Sequence, residues 1–169
     1  RWTPTVLRIL KQYHVPAAFF MVGLQIEKNL PVVKQVFDDG HTIGNHTFTH
    51  HNVAENSERR TYAELKLTRM LIESITGQST VLFRAPYNAD SDPTEREEIE
   101  PMILASRRNY IFVGESIDPN DWEVGVTADQ IYKRVIDGVH RGDGHIILLH
   151  DAGGSTRQPT LTALPRILN

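Results

Sequence analysis

A chain of 169 residues with 21 acidic and 18 basic side chains, net charge −3, is long enough for one domain with a real core, and its interspersed charges argue against nucleic acid or an anionic membrane as partner. It contains no cysteine, which removes disulfides, thiolate nucleophiles and Cys-based zinc sites together. No apolar run approaches the roughly 18 residues that span a bilayer, and no signal peptide stands at Arg1-Trp2-Thr3-Pro4.

In chain order, Thr3 followed by Pro4 predicts a helix cap, with Val6, Leu7, Ile9 and Leu10 as the apolar face. Pro16 to Val22 is a short apolar run and predicts a buried strand. Pro31 to Asp39 predicts a helix closed by Gly40, and His41 to Asn45 a short strand. Ser57 to Thr76 is the clearest helix, ending at Gly77. Val81-Leu82-Phe83 follows as a strand. Thr94 with Glu97 predicts a capping box ahead of Ile99, Met102, Ile103 and Leu104. Tyr110 to Val113 predicts a strand, and Thr127 with Gln130 a second capping box before Ile131, Val135, Ile136 and Val139. His145 to Leu149 is the most apolar strand candidate, and Leu161 to Leu168 a final helix. Strands alternating with helices imply parallel pairing, because each crossover needs a dozen or more residues. Five strands are too few for a closed barrel, so the pattern predicts an α/β fold in the form of an incomplete or distorted (β/α) barrel with parallel strands and outer helices.

His41, His46, His50 and His51 crowd one segment. His46 and His50 lie four apart, so on one helical turn they would share a face and grip one metal ion. Thr47 stands where a zincin-type protease needs Glu, which disfavours that chemistry. In parallel α/β barrels the chemistry gathers at the C-terminal ends of strands. Three further strand ends deliver polar residues: Arg84-Ala85-Pro86-Tyr87, Asp118-Pro119-Asn120-Asp121-Trp122, and His150-Asp151. Singly each has an ordinary structural reading, as a surface ion pair, a turn, a core ring or a strand-end imidazole. Jointly, at one rim, they predict a site.

These residues resemble the motifs of the NodB-homology polysaccharide deacetylases, carbohydrate esterase family four. His46-Thr47-Phe48-Thr49-His50 resembles the family's His-Ser/Thr-x-x-His motif, with Gly40 to Asn45 similar to its approach. Arg84-Ala85-Pro86-Tyr87, Asp121-Trp122 and Leu148-Leu149-His150 resemble the three motifs that follow. Ser116 to Trp122 and Ile146 to Gly154 are similar to deacetylase domains that bacteria fuse to a processive glycosyltransferase. The family's first motif, Thr-Phe-Asp-Asp-Gly-Pro, has no counterpart. Phe37-Asp38-Asp39-Gly40 mimics it only by letters and reads as a solvated helix end. Residues 1–169 are therefore expected to form one deacetylase domain lacking its first strand and first motif, and a last strand, and to turn over little substrate alone.

The resemblance implies removal of N-acetyl groups from a GlcNAc-containing glycan such as chitin, peptidoglycan or exopolysaccharide, outside the cell or at its envelope. His46 and His50 would hold a divalent ion, zinc by preference, with cobalt, nickel or manganese as substitutes. A first-motif aspartate would be third ligand and another the general base. His150 would protonate the leaving amine, its pKa raised by Asp121, with Arg84 orienting the carboxylates. The Tyr87 N–H would stabilise the oxyanion, and Pro86, Tyr87, Trp122 and Leu148 would contact substrate. The partner implied is a glycan, not nucleic acid, with glycosyltransferase or membrane segments as flanking neighbours. The alternatives are an O-acetyl esterase on a xylan-like glycan and an inactive glycan-binding pseudo-enzyme.

Overall fold

The computed structural model describes residues 1–88 and 96–169. In chain order these form α1 (Thr3–Tyr13), β1 (Ala18–Met21), α2 (Gly23–Lys28), α3 (Leu30–Asp38), β2 (Thr42–Asn45), α4 (Glu58–Thr76), β3 (Leu82–Phe83), α5 (Arg96–Ser106), β4 (Ile111–Phe112), α6 (Ala128–Arg141) and α7 (Gln158–Leu168). Short 3-10 turns cover Val53–Glu55 and Pro86–Asn88. The described residues fall into two compact units, one of residues 17–114, the other of residues 1–16 with 115–169. No described helix is long and apolar enough to cross a membrane.

The larger unit, residues 17–114, is a parallel sheet in the order β1-β2-β3-β4 with helices between its strands. Each connection runs through a helix, as parallel pairing demands. Ala18 to Met21 pair in register with Thr42 to Asn45, which sets Gly44 beside Phe20. A Cβ on Gly44 would lie 2.4 Å from the Phe20 ring, so glycine lets that ring lie flat on the sheet. The core beneath β3 gathers Val53, Leu65, Phe83, Ala85, Ala105 and Tyr110. Asn45 is fully buried in it and donates to the Leu65 carbonyl and the Tyr110 hydroxyl, both at 2.8 Å.

In the smaller unit α6 and α7 pack together, with α1 also on α7. Val126, Ile131 and Ala163 form its core, flanked by Tyr132, Leu149 and Ile167. Leu7 and Leu10 are the buried members of the α1 face.

Helix ends with local signals lie where expected. The Ser57 hydroxyl accepts from the Arg60 N–H, and Gly77 closes α4 in the left-handed conformation. Thr127 and Gln130 form the reciprocal capping box. Thr3 does not cap α1: it is the first helical residue, Trp2 is the cap, and Pro4 sits in the first turn, where its missing N–H is harmless. Gln158, not Leu161, begins α7, because Pro159 likewise fits a first turn. Thr94 lies outside the described residues, so the box expected of it with Glu97 does too.

His145 to Leu149 is not a strand. It forms one bridge, Ile117 with Ile147. The Ser116 and Ile117 N–H groups both donate to the Ile146 carbonyl, and the Leu148 N–H returns to the Ile117 carbonyl. Within this unit that short segment is its ladder partner, and Ile146 is about half exposed.

Candidate functional site

β2 and β3 end side by side, with Asn45 opposite Phe83. The chain leaves β2 as His46 and β3 as Arg84. The Arg84 N–H donates to the Asn45 carbonyl at 3.1 Å, and the His46 Nδ1 lies 2.9 Å from the Arg84 carbonyl oxygen. A carbonyl only accepts, so Nδ1 carries the proton and Nε2 is the nitrogen left with a lone pair. The rings of His46 and His50 stand 4.9 Å apart, edge to face, and the Tyr87 ring stands 5.1 Å beyond His50. Tyr87 is 70% exposed, while Arg84 and Pro86 are buried. The Arg84 guanidinium donates to the Val113 carbonyl at 3.2 Å. His50, His51, Asn52, Glu55 and Tyr87 line a shallow cleft.

The two histidines do not share a helical turn. Residues 46–50 form a loop, with Thr47 and His50 at φ 64° and 62°. A left-handed β-branched residue is strained by roughly 1–3 kcal/mol and persists only when its surroundings impose it. Here they do. The Asn45 side chain accepts from the Thr47 N–H at 2.9 Å, and the Thr47 hydroxyl from the His50 N–H at 3.1 Å. The Glu64 carboxylate accepts from the Phe48 and Thr49 N–H groups at 2.8 and 2.7 Å. The Thr47 and Phe48 carbonyls accept from the first N–H groups of α2. Side chains thus take the N–H groups a helix would have used.

In the smaller unit Asp121 is 2% exposed. The ring Nδ1 of His150 donates to its Oδ1 at 2.7 Å. The His150 backbone N–H and the Thr160 hydroxyl donate to its Oδ2 at 2.9 and 2.8 Å. Burial pushes the Asp121 carboxyl up, but the His150 and Thr160 hydrogen bonds outweigh it and hold it below the usual carboxylate range. With Nδ1 engaged, Nε2 is the ring nitrogen of His150 not held by Asp121. Asp118 opens the turn before Asp121 by accepting from the Asn120 N–H at 2.7 Å. Arg157, also buried, donates to the Asp121 carbonyl at 3.1 Å and to the Ala152 carbonyl at 2.9 Å. Trp122 is 52% exposed, its indole N–H 3.4 Å from Asp118, so it is no core ring. Leu148 is half-buried, its N–H tied to the Ile117 carbonyl.

Among the described residues no group of three or more His, Asp or Glu side chains converges on one point. Two imidazoles, one of them held by a backbone carbonyl, fit part of a divalent-metal shell. Asp38 and Asp39 are exposed at the end of α3, with Asp38 paired to Lys34, as a solvated helix end should be. Three residues that shape the two clusters carry no motif, Glu64, Arg157 and Thr160, while Asn45 stands only in the run leading to the His46 motif. For Glu64 a signal existed. It falls on the inward stripe of α4 with Thr61, Leu65, Thr68 and Ile72, where a carboxylate must have partners.

A family model described as polysaccharide deacetylase matches residues 1–100. A peptidoglycan-N-acetylglucosamine deacetylase of Bacillus cereus is 33% identical over 168 residues, covering 99% of this chain and 57% of that protein. The chain thus spans a little over half the length of that relative. The solved structure of a peptidoglycan N-acetylglucosamine deacetylase in complex with 4-naphthalen-1-yl-N-oxidanyl-benzamide matches with TM-score 0.87 at 32% identity, over 99% of this chain and 74% of that one. A mutant of a CE4 family pseudoenzyme with restored enzymatic activity matches with TM-score 0.84 at 28% identity, over 99% of this chain and 56% of that one.

Proposed function

Because the chain belongs to the polysaccharide deacetylase family, whose members are metal-dependent, we propose that it hydrolyses N-acetyl groups from a GlcNAc-containing glycan, with peptidoglycan the first candidate, at the cell envelope or outside the cell. The observation that carries this reading is the His46–His50 pair, 4.9 Å between rings, on a loop whose every N–H from Thr47 to His50 is bound by a side chain. The same reading takes residues 1–169 as one deacetylase domain.

His46 and His50 would hold a divalent cation. Zinc suits two imidazoles, and cobalt, nickel or manganese accept the same donors. When bound, such a cation supplies Lewis-acid polarisation of the amide carbonyl and a lowered pKa for water. The base that takes the proton of the attacking water would be the first-motif aspartate, which has no counterpart in residues 1–169; the roles that follow fall to this chain's own residues. Arg84 fixes the His46 ring through its carbonyl and serves as a positioning residue. The Tyr87 backbone N–H is the candidate donor to the tetrahedral oxyanion, a contact worth about 3–4 kcal/mol. His150 protonates the departing amine nitrogen from Nε2, since an unprotonated amine leaves poorly. Asp121 orients that imidazole through its ring Nδ1 and its backbone N–H. Pro86 and Tyr87 in the larger unit, and Trp122 and Leu148 in the smaller, are the candidates for contact with the acetylated sugar.

Acetate release from peptidoglycan, N-acetylchitooligosaccharides and acetylated xylan tests the reading, using the intact protein, chelator-stripped, with and without added zinc. Zinc-restored release from the amide substrates supports it. Release from xylan alone makes the protein an O-acetyl esterase. Zinc binding without release from any substrate favours a glycan-binding module, a second reading motivated by the likeness to a pseudoenzyme. Release that survives stripping sinks the metal assignment.

A further inference from the structure

Glu64 lies on α4, fourteen residues beyond His50, and belongs to no motif of the site. Its side chain nevertheless grips the loop between the two imidazoles from α4, taking N–H groups where α2 takes the carbonyls of Thr47 and Phe48. Oε2 accepts from the Phe48 N–H at 2.8 Å and the Thr49 N–H at 2.7 Å, and Oε1 from the Thr49 hydroxyl at 2.7 Å. The residue is 6% exposed, and the Arg60 guanidinium approaches its Oε1 at 3.8 Å from one turn back.

We propose that Glu64 is a positioning residue for the cation held by His46 and His50: its carboxylate sets the spacing of the two imidazoles by pinning the middle of the loop to α4. The inference rests on the metal reading given above. Its physical basis is specific. Two consecutive N–H groups that converge on one oxygen must point the same way, which the alternating N–H groups of an extended strand do not, so the carboxylate favours the loop's bent path. That path carries His50 back toward His46 with Thr47 and His50 left-handed. Without the carboxylate, the Phe48 and Thr49 N–H groups lose their acceptor. The loop then relaxes toward unstrained φ values, and the imidazoles separate. Groups that orient metal ligands from outside the coordination shell typically change affinity by about 10–100-fold when removed.

The test measures zinc affinity of the full chain by competition with a chromogenic chelator, alongside amide hydrogen exchange of metal-free protein. Glu64→Ala should weaken zinc binding by about 10–100-fold and speed exchange at Phe48 and Thr49, while the Leu65 and Ile72 amides in α4 keep their protection. Glu64→Gln keeps the volume and one acceptor oxygen for both N–H groups. It should bind zinc within about threefold of wild type, an intermediate loss in keeping with one hydrogen bond removed. Should Glu64→Ala fail to fold, Glu64→Asp serves in its place: a carboxylate one methylene short must let go of the loop or drag it, and wild-type affinity there overturns the inference. Wild-type affinity in folded Glu64→Ala overturns it equally. Wild-type protein that binds no zinc overturns the metal reading instead, and the inference falls with it.

Discussion

The Nδ1 of His150 meets one oxygen of Asp121 at 2.7 Å while the backbone N–H of the same histidine meets the other at 2.9 Å. One carboxylate therefore fixes both the ring and the main chain of a single residue, which leaves the imidazole little freedom to turn Nε2 away. If this histidine is the general acid, His150→Ala in the intact protein should lower kcat by about 10²–10⁴ with zinc affinity unchanged. His46→Ala should lose turnover and zinc together. The check is a steady-state assay of acetate release paired with chelator competition on each variant. Undiminished turnover in folded His150→Ala would falsify the acid assignment.

The same dyad makes a stability prediction. The folded-state pKa of Asp121 is lowered, so as pH falls the unfolded chain takes up the proton first. The stabilisation is thus fully present above the ordinary aspartate value, about 3.9, and is lost as pH falls below it toward the folded value. Urea unfolding of wild type and Asp121→Asn should show a stability gap near neutral pH that closes as acid is added below about pH 4. A gap that widens in acid would contradict the sign of the shift. Thr160→Val should narrow the effect, since the Thr160 hydroxyl is one of the donors that lower the carboxyl.

How far residues announce these arrangements depends on how local their causes are. Thr127, Gln130 and Gly142 bracket α6 because caps act within a few residues of themselves. Helix α2 gave no such signal. It is six residues long, and its first two N–H groups are bound to Thr47 and Phe48 from a loop more than twenty residues on. The His46–His50 spacing was visible, but the helix it suggested was overridden by Asn45, Thr47 and a carboxylate from α4. Asp121 and His150 could be marked as reactive types. That Thr160 and Arg157 complete the Asp121 surroundings follows only from where α7 packs.

Thr127→Ala should cost about 0.5–2 kcal/mol by removing the hydroxyl that accepts from Gln130. Because the cap touches none of the candidate site residues, kcat should stay at the wild-type value at temperatures where the variant is folded. Thermal unfolding and a turnover assay on the same preparation separate the two effects. A fall in kcat without a fall in stability would place Thr127 in the reaction, against the geometry.

Gly23 offers a sharper test of the loop's packing. It is the first residue of α2, and a Cβ there would lie 2.3 Å from the Phe48 ring and 2.8 Å from the Thr68 hydroxyl oxygen. Neither neighbour gives way freely: the Phe48 main chain is bonded to Leu24 and Glu64, and Thr68 is buried with its hydroxyl donating to the Glu64 carbonyl. Overpacking of this kind costs about 1–3 kcal/mol. Since the Phe48 ring belongs to the loop between the two imidazoles, Gly23→Ala should lower the urea midpoint and weaken zinc binding in the same variant. Gly40→Ala is the control. That glycine, unlike Gly23, is left-handed, at φ 82°, so its alanine variant should lose stability through backbone strain, but no atom lies within 4 Å of the added Cβ and zinc affinity should hold. Equal loss of affinity in both variants would mean that general destabilisation, not the contact with Phe48, governs the site.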